Sequence, residues 1–188
     1  SLLDAAKRVA MQYSPMNAIP YLSRVDAGTI DLVRSLGVEV ETSADLVQQF
    51  EAVWNEAQLA SHQVAAEGLR AIVDEAFECV GTSLGSGRGL TEYELQQYIL
   101  SRMQARGLVT SSPPIAAVNA HSADPHYAPV SEGSSPIRQG DLVLIDLWAK
   151  QPTPGAVYAD ITWTGFVGAT VPARHQDIFQ IVRRARDA

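Results

Sequence analysis

Two aspartates, Asp146 and Asp160, are the residues of this chain whose types and spacing best suit metal chemistry. Asp146 lies in an almost wholly apolar run, 141–148, which is typical of a strand buried on both faces. Asp160 lies in the run 157–167, rich in β-branched and aromatic residues, and a Pro- and Gly-containing turn separates the two runs. A hairpin folded about Thr153 would place the two aspartates directly opposite each other on one face.

Opposed carboxylates need a positive partner. Directly paired side chains on neighbouring strands have Cβ atoms roughly 4.5–5.5 Å apart, and like charges at that spacing repel. A divalent cation, or two cations about 3.5–4 Å apart that share carboxylate oxygens, would relieve the repulsion. Two aspartates in a hairpin also occur without any metal, and a turn centred one residue away would change the pairing. The apolar neighbours of Asp146 favour the metal interpretation, because an unpaired buried carboxylate is unfavourable.

Composition limits the classes of function. The chain has 188 residues, 46% of them hydrophobic and 19% charged, with a net charge of −7. It has no apolar run as long as the roughly 18 residues of a membrane span. The basic run 183–186 fits a solvated helix end, so we expect neither a membrane nor a nucleic-acid partner.

The single cysteine and the N-terminal sequence bear on the cellular compartment. Cys79 excludes an internal disulfide framework, and its helical apolar surroundings predict a core residue rather than a catalytic thiol. No secretory signal opens the sequence, which favours the cytoplasm, although Ser1 leaves the natural N-terminus open.

The first part of the chain is predicted to form a β-α-β unit. Residues 8–13 predict a strand, 29–36 a helix that Gly37 ends, and 38–41 a second strand. Because this unit is too small to bury a core alone, we interpret residues 1–42 as the end of a larger domain.

Residues 43–188 predict a second, α+β domain. A long helix is expected from the N-cap candidates Thr42 and Ser43 to about Val80, with Asp45 placed for a capping box on Thr42. The elements expected after it are a helix over 91–106 with a capping box of Thr91 and Glu94, a strand over 115–118, a loop over 119–136, the aspartate hairpin and a helix opened by Pro172.

The four histidines differ in context. His62 and His175 lie in predicted helices, where a surface or packing role is the ordinary interpretation. His121 and His126 lie in the loop just before the aspartate hairpin. An imidazole in such a loop could donate protons or contact a substrate.

Three segments together resemble the pita-bread metallopeptidases, the family of methionine aminopeptidase, prolidase and Xaa-Pro aminopeptidase. The segments are PHY at 125–127, GDLVLID at 140–146, and YADITWT at 158–164 together with VG at 167–168. The Xaa-Pro aminopeptidase and prolidase branch is the most similar, since its members also carry an N-terminal domain whose end looks like residues 8–41. The resemblance implies that residues 1–42 end a creatinase-like N-terminal domain and that 43–188 form the first half of a pita-bread domain.

The resemblance also implies a function: a hydrolase with two divalent metal ions, manganese, cobalt or zinc, that removes N-terminal residues from Xaa-Pro peptides. By position, Asp146 would hold one metal and Asp160 would bridge both. His126 would contact the scissile peptide in the transition state, and Tyr127 beside it would contribute to substrate binding. The expected partners are a peptide substrate and, in the full-length protein, a second copy in a homodimer.

Two departures from the family pattern qualify these expectations. Trp163 stands where the family often has arginine. The family's remaining three ligands, a histidine and two glutamates, belong to a second half-domain, and His175 falls outside that pattern. We therefore expect a fragment that binds metal poorly and is inactive alone. The alternatives are a non-catalytic peptide- or protein-binding module of the same fold and a creatinase-like, metal-free hydrolase; retention of both aspartates counts against each.

Overall fold

The computed structural model describes residues 7–188, and the chain divides into two compact units, with the boundary between Asn55 and Glu56. The boundary expected from the sequence, after Thr42, lies earlier. Helices and strands are mixed in both units, which confirms the predicted α+β class.

The first unit contains the predicted β-α-β arrangement. Strands β1 (Arg8–Met11) and β2 (Glu39–Thr42) are parallel, and helix α1 (Ala27–Ser35) lies between them in the chain. The helix begins earlier than predicted, because the Asp26 carboxylate accepts a hydrogen bond from Thr29 N at 3.0 Å and caps it. Gly37 adopts a positive φ of 78° just after the helix, as its predicted capping role requires.

The long helix predicted from residue 43 begins much later. A short helix α2 (Ala44–Val47) runs into one wide turn (Gln48–Ala52), Val53 is extended, and only then does α3 (Glu56–Gly85) begin. The N-cap of α2 is Ser43, whose side chain makes no capping hydrogen bond. Phe50 is 80% exposed, so the apolar spacing that predicted one continuous helix does not correspond to a buried face there.

The second unit is built on an antiparallel sheet of order β3-β4-β5. Its strands are β3 (Ile115–Val118), β4 (Leu142–Ala149) and β5 (Ala159–Phe166), close to the predicted ranges. Helix α4 (Glu92–Ala105) has the predicted capping box, in which Thr91 and Glu94 bond each other's backbone N–H. Helix α5 (Ala173–Asp187) follows Pro172.

Helices α3 and α4 pack on one face of this sheet. The buried side chains of β4 alternate strictly, so Val143, Ile145, Leu147 and Ala149 belong to the core and the intervening residues are half-buried. The prediction that β4 is buried on both faces is therefore wrong within residues 7–188: one face is buried and the other, which carries Asp146, is partly open. On the helix side, β5 approaches α3 so closely that a Cβ at Gly165 would overlap the Phe77 ring.

Candidate active site

Asp146 lies in the middle of β4, on the half-buried face of the sheet. Strand β3 pairs with β4 on one side, with Ile115 opposite Asp146, and β5 pairs on the other. A central strand is held by hydrogen bonds along both edges, so the position of this carboxylate is fixed by the backbone on either side.

The predicted register of the aspartate hairpin is wrong by two residues. Asp146 lies opposite Thr162, and Asp160 lies opposite Trp148. The turn is centred on Pro154 instead of Thr153, which shifts β5 along β4 but keeps both aspartates on the same face. The two aspartates are thus diagonal neighbours, for which a separation of roughly 7–8 Å between Cα atoms is typical.

The two carboxylates have few donors of their own. Thr162 Oγ1 donates a hydrogen bond to Asp146 Oδ1 at 2.8 Å. Partial burial raises the pKa of the Asp160 carboxyl, and the negative charge of Asp146 raises it further. The diagonal pair therefore remains electrostatically coupled, and a cation beside it would be stabilised by both charges.

This donor set fits part of a divalent metal site. Carboxylate oxygens on one open face are suitable ligands for manganese, cobalt or zinc, and the coupling of the two aspartates favours a cation there. Within residues 7–188, however, no group of three or more His, Cys, Asp or Glu side chains is arranged to hold a metal ion. Asp146 and Asp160 would supply two of the ligands and leave the remainder of the coordination sphere to other groups.

His126 lies in an exposed turn after the short 3₁₀ helix Asn119–Ala123. Its backbone N–H donates to Asp124 Oδ1 at 2.9 Å, which fixes the turn locally. No hydrogen bond joins His126 to Asp146 or Asp160 in the part of the chain that the structure describes. The structure thus brings the two aspartates together and places His126 on a separate loop.

Tyr127 is tied to a residue that the sequence reasoning missed. Its hydroxyl donates to Glu92 Oε2 at 2.6 Å, and the Glu92 side chain is fully buried. Burial, with the hydrogen bond to the Glu92 carboxylate, raises the pKa of Tyr127 to about 12. Glu92 is an acidic residue in the first turn of α4, and no local sequence pattern singles it out as the capping box singles out Glu94.

The loop that carries His126 is also fastened to the start of β4. Asn119 adopts a positive φ of 51° and uses both ends of its amide: Nδ2 donates to Asp141 Oδ1 at 2.8 Å, and Oδ1 accepts from Leu142 N at 3.0 Å. Few residues other than glycine tolerate this φ, and asparagine is one of them. The beginning of the loop is therefore joined to the strand that carries Asp146.

The other singled-out residues have packing roles. His62 on α3 forms a hydrogen bond between Nδ1 and the carbonyl oxygen of Tyr158 at 2.8 Å. The half-buried His175 packs its ring beside Phe166, with centroids 5.5 Å apart. Cys79 was predicted to be a core residue; it is half-buried and packs against the core from its edge.

The model of metallopeptidase family M24 matches residues 56–188, which is more than half of the sequence, and the chain belongs to this family. The match begins where the second compact unit begins. The chain has no significant match among curated proteins.

Solved structures of Xaa-Pro-processing enzymes share this fold. An X-prolyl aminopeptidase from Caenorhabditis elegans, described as a cytosolic enzyme with a di-nuclear active site, is 28% identical over 74% of this chain and 22% of its own, with a TM-score of 0.61. Prolidase from Pyrococcus furiosus is 22% identical over 87% of this chain and 45% of its own, with a TM-score of 0.58. Recombinant prolidase from Thermococcus sibiricus is 20% identical over 87% of this chain and 42% of its own, also with a TM-score of 0.58.

This chain therefore spans less than half the length of each of these structures. No helix within residues 7–188 combines the length and apolarity that a membrane crossing requires.

Proposed function

We propose that the protein containing this chain is a metal-dependent hydrolase that removes N-terminal residues from Xaa-Pro peptides, of the aminopeptidase P or prolidase type. Membership of metallopeptidase family M24 supports the hydrolytic chemistry. The observation that carries the proposal is the placement of Asp146 and Asp160 as diagonal neighbours on one open face of the hairpin, where the charge of Asp146 raises the pKa of Asp160.

In the proposed mechanism Asp146 and Asp160 would hold divalent cations on the open face of the sheet. Thr162 Oγ1 fixes the rotamer of Asp146 by donating to one carboxylate oxygen. Divalent cations held there would supply a water of lowered pKa and polarise the peptide carbonyl. His126 contacts the scissile peptide and steadies the negative charge that develops on it, and Tyr127 helps to bind the substrate.

We infer that the other ligands of this site come from outside residues 7–188, because two carboxylates leave most of a coordination sphere to water. The 188-residue chain alone should therefore bind manganese weakly and cleave no Xaa-Pro dipeptide. Measurable cleavage by a verified 188-residue preparation would contradict this part of the proposal.

The decisive experiment uses the full-length protein with manganese, cobalt or zinc and two dipeptides that differ only in proline or alanine at the second position. We expect cleavage of the Xaa-Pro dipeptide and far slower cleavage of the Xaa-Ala dipeptide. Asp160→Asn should lower kcat/KM by more than about a hundredfold, since even residues that only support metal ligands contribute about 10–100-fold.

Asp31→Asn provides a matched control, because it makes the same chemical change at an exposed residue of α1 in the first unit. It should leave kcat/KM unchanged. Full activity of Asp160→Asn would refute the metal role of the hairpin. Equal cleavage of the two dipeptides would refute the Xaa-Pro specificity and leave the metallopeptidase class intact.

The remaining expectations about the whole protein belong to the same proposal. We propose a cytoplasmic enzyme that forms a homodimer, acts on peptides and binds neither nucleic acid nor membrane. The net charge of −7 supports the exclusion of nucleic acid.

A further inference from the structure

Glu92 is the only fully buried charged side chain among residues 7–188. It lies in the first turn of α4, and its carboxylate takes no part in the mechanism proposed above. A buried carboxylate is retained only where hydrogen bonds replace its hydration. The donors that do so here identify what Glu92 holds in place.

The donors come from both ends of the loop between β3 and β4. At its beginning, Val118 N donates to Glu92 Oε1 at 2.7 Å, and His121 Nδ1 lies 2.9 Å from the same oxygen. Further on, Tyr127 Oη donates to Oε2 at 2.6 Å and Ser135 N donates to Oε2 at 3.1 Å. Each carboxylate oxygen therefore binds one backbone N–H and one side chain.

His126 lies between these attachment points. Tyr127, the next residue, is attached to Glu92, and His121 stacks on the Tyr127 ring with centroids 4.4 Å apart. Asp124 holds the His126 N–H from the other side. Although the His126 side chain is exposed, the backbone that carries it is fastened on both sides through contacts that converge on one carboxylate.

We infer that Glu92 is a positioning residue for His126: through four hydrogen bonds it holds the loop of residues 119–136 in the one conformation that presents the imidazole to the substrate. The inference rests on the proposed function for the role of His126, and on the contacts of Glu92 for the positioning. The raised pKa of Tyr127 agrees with it, because burial and the hydrogen bond to Glu92 both favour the protonated phenol, which is the form that donates.

The arrangement requires a carboxylate instead of an amide. A carboxylate offers acceptors only, and all four groups around Glu92 act as donors. In Glu92→Gln one oxygen becomes an NH₂ group. The tyrosine hydroxyl could turn and accept from it, but a backbone N–H cannot. The substitution therefore keeps the shape of the side chain and breaks the loop attachment at one end.

The test compares Glu92→Gln with wild type in the full-length protein. We expect kcat for Xaa-Pro cleavage to fall by about tenfold or more with KM changed much less, because displacement of a catalytic group by about 1 Å can lower the rate a hundredfold. In parallel, the ¹³Cζ resonance of Tyr127, assigned with Tyr127→Phe, reports its titration. The pKa should fall from about 12 in wild type towards the ordinary tyrosine value of about 10 in Glu92→Gln.

Glu94→Gln is the matched control. It makes the same change two residues away in the same helical turn, at an exposed position where glutamine can still serve the capping box. It should alter neither kcat nor the Tyr127 titration. If Glu92→Gln does not fold, His121→Phe replaces it, since that variant removes a single donor and keeps an aromatic ring beside Tyr127, and a smaller fall in kcat is expected.

The outcomes separate this inference from the proposed function. If wild type cleaves no Xaa-Pro peptide, the proposed function fails, and the ring resonances of His121 and His126 in Glu92→Gln still report whether the loop has moved. A folded Glu92→Gln protein with unchanged histidine and tyrosine resonances would overturn the inference. So would unchanged kcat in an active enzyme. An equal loss in kcat from Glu94→Gln would also overturn it, because the effect would then belong to the helix end in general.

Discussion

Glu92, in the first turn of α4, and the Asp146–Asp160 pair, on the sheet, belong to the same unit but are opposite cases. Glu92 is fully buried and has four donors, two on each oxygen. The aspartate pair lies on the open face of the sheet, has a hydroxyl donor from Thr162, and brings two like charges onto neighbouring strands. A carboxylate supplied with donors stabilises the fold, whereas a pair short of donors is available to bind a cation. Substitution of a carboxylate should therefore lower the free energy of unfolding more when that carboxylate is more deeply buried and accepts more hydrogen bonds.

The largest effect is expected for Glu92→Ala. Removing the carboxylate leaves two backbone N–H groups and two side chains without their acceptor in a buried site, and an unsatisfied buried group costs about 1–3 kcal/mol. We expect a loss of about 3 kcal/mol or more in the free energy of unfolding, measured by urea denaturation. Glu94→Ala, which removes only a capping interaction, should cost about 1 kcal/mol. Equal losses of unfolding free energy in Glu92→Ala and Glu94→Ala would contradict the special role of the buried carboxylate.

An intermediate effect is expected at Glu75, which joins α3 to α4 by accepting hydrogen bonds from Arg102 and Arg106. The hydrogen bonds from these two arginines lower the pKa of Glu75 below its ordinary value of 4.5. The folded state then binds fewer protons, so the stabilisation is complete above pH 4.5 and disappears as the pH falls through the lower, folded-state pKa.

Glu75→Gln should therefore lose about 1 kcal/mol of unfolding free energy at pH 7. The difference from wild type should shrink as the pH falls below 4.5. Urea denaturation across this range gives the measurement, and Glu78→Gln, at an exposed position of the same helix, is the control. A difference that stays constant with pH would show that the ion pairs do not carry the effect.

A smaller effect of opposite sign is expected for Asp160→Asn. Without divalent cations, removing one of two like charges on adjacent strands should raise the unfolding free energy by about 0.5 kcal/mol. Denaturation in the presence of a chelator measures this. Adding manganese to the full-length protein should then stabilise wild type and not the variant. A clear loss of stability in chelator would mean that Asp160 is a structural carboxylate like Glu92.

The smallest effect is expected for Asp74→Asn. Asp74 pairs with Arg70 across one turn of α3 at 2.9 Å, but both side chains are about half exposed. Such pairs contribute less than about 0.5 kcal/mol. The Arg70 guanidinium also lies 4.2 Å from the centre of the Trp163 ring and can keep that contact without Asp74. Trp163→Ala, measured in parallel by urea denaturation, should lose more unfolding free energy than Asp74→Asn.

Much of the fold could be predicted because its signals are local. The capping box of Thr91 and Glu94 and the capping glycine Gly37 depend on residues a few positions apart, and the structure contains both. The alternation within each strand also identified the face shared by Asp146 and Asp160, since parity survives a shift of two residues.

The hairpin register was missed because distant residues set it. Ser61 Oγ on α3 accepts from Val157 N at 3.1 Å, and Lys150 exchanges two backbone hydrogen bonds with Val109. Both contacts hold the ends of the turn, and neither is visible in the turn sequence. Glu92 was missed for the same reason: its donors lie 26–43 residues further along the chain.

The contact between Gly165 and Phe77 has a consequence for how this protein can vary. Because the ring occupies the space where a side chain would begin, any other residue at position 165 must displace the Phe77 ring or push β5 away from α3. A shift of β5 would tilt the strand that carries Asp160 and change the gap to Asp146 without altering either aspartate. A saturation library at position 165 that is selected for folding alone should return mostly glycine. A library at the exposed Thr162 should return many residues under the same selection, and fewer when the selection also requires cation binding.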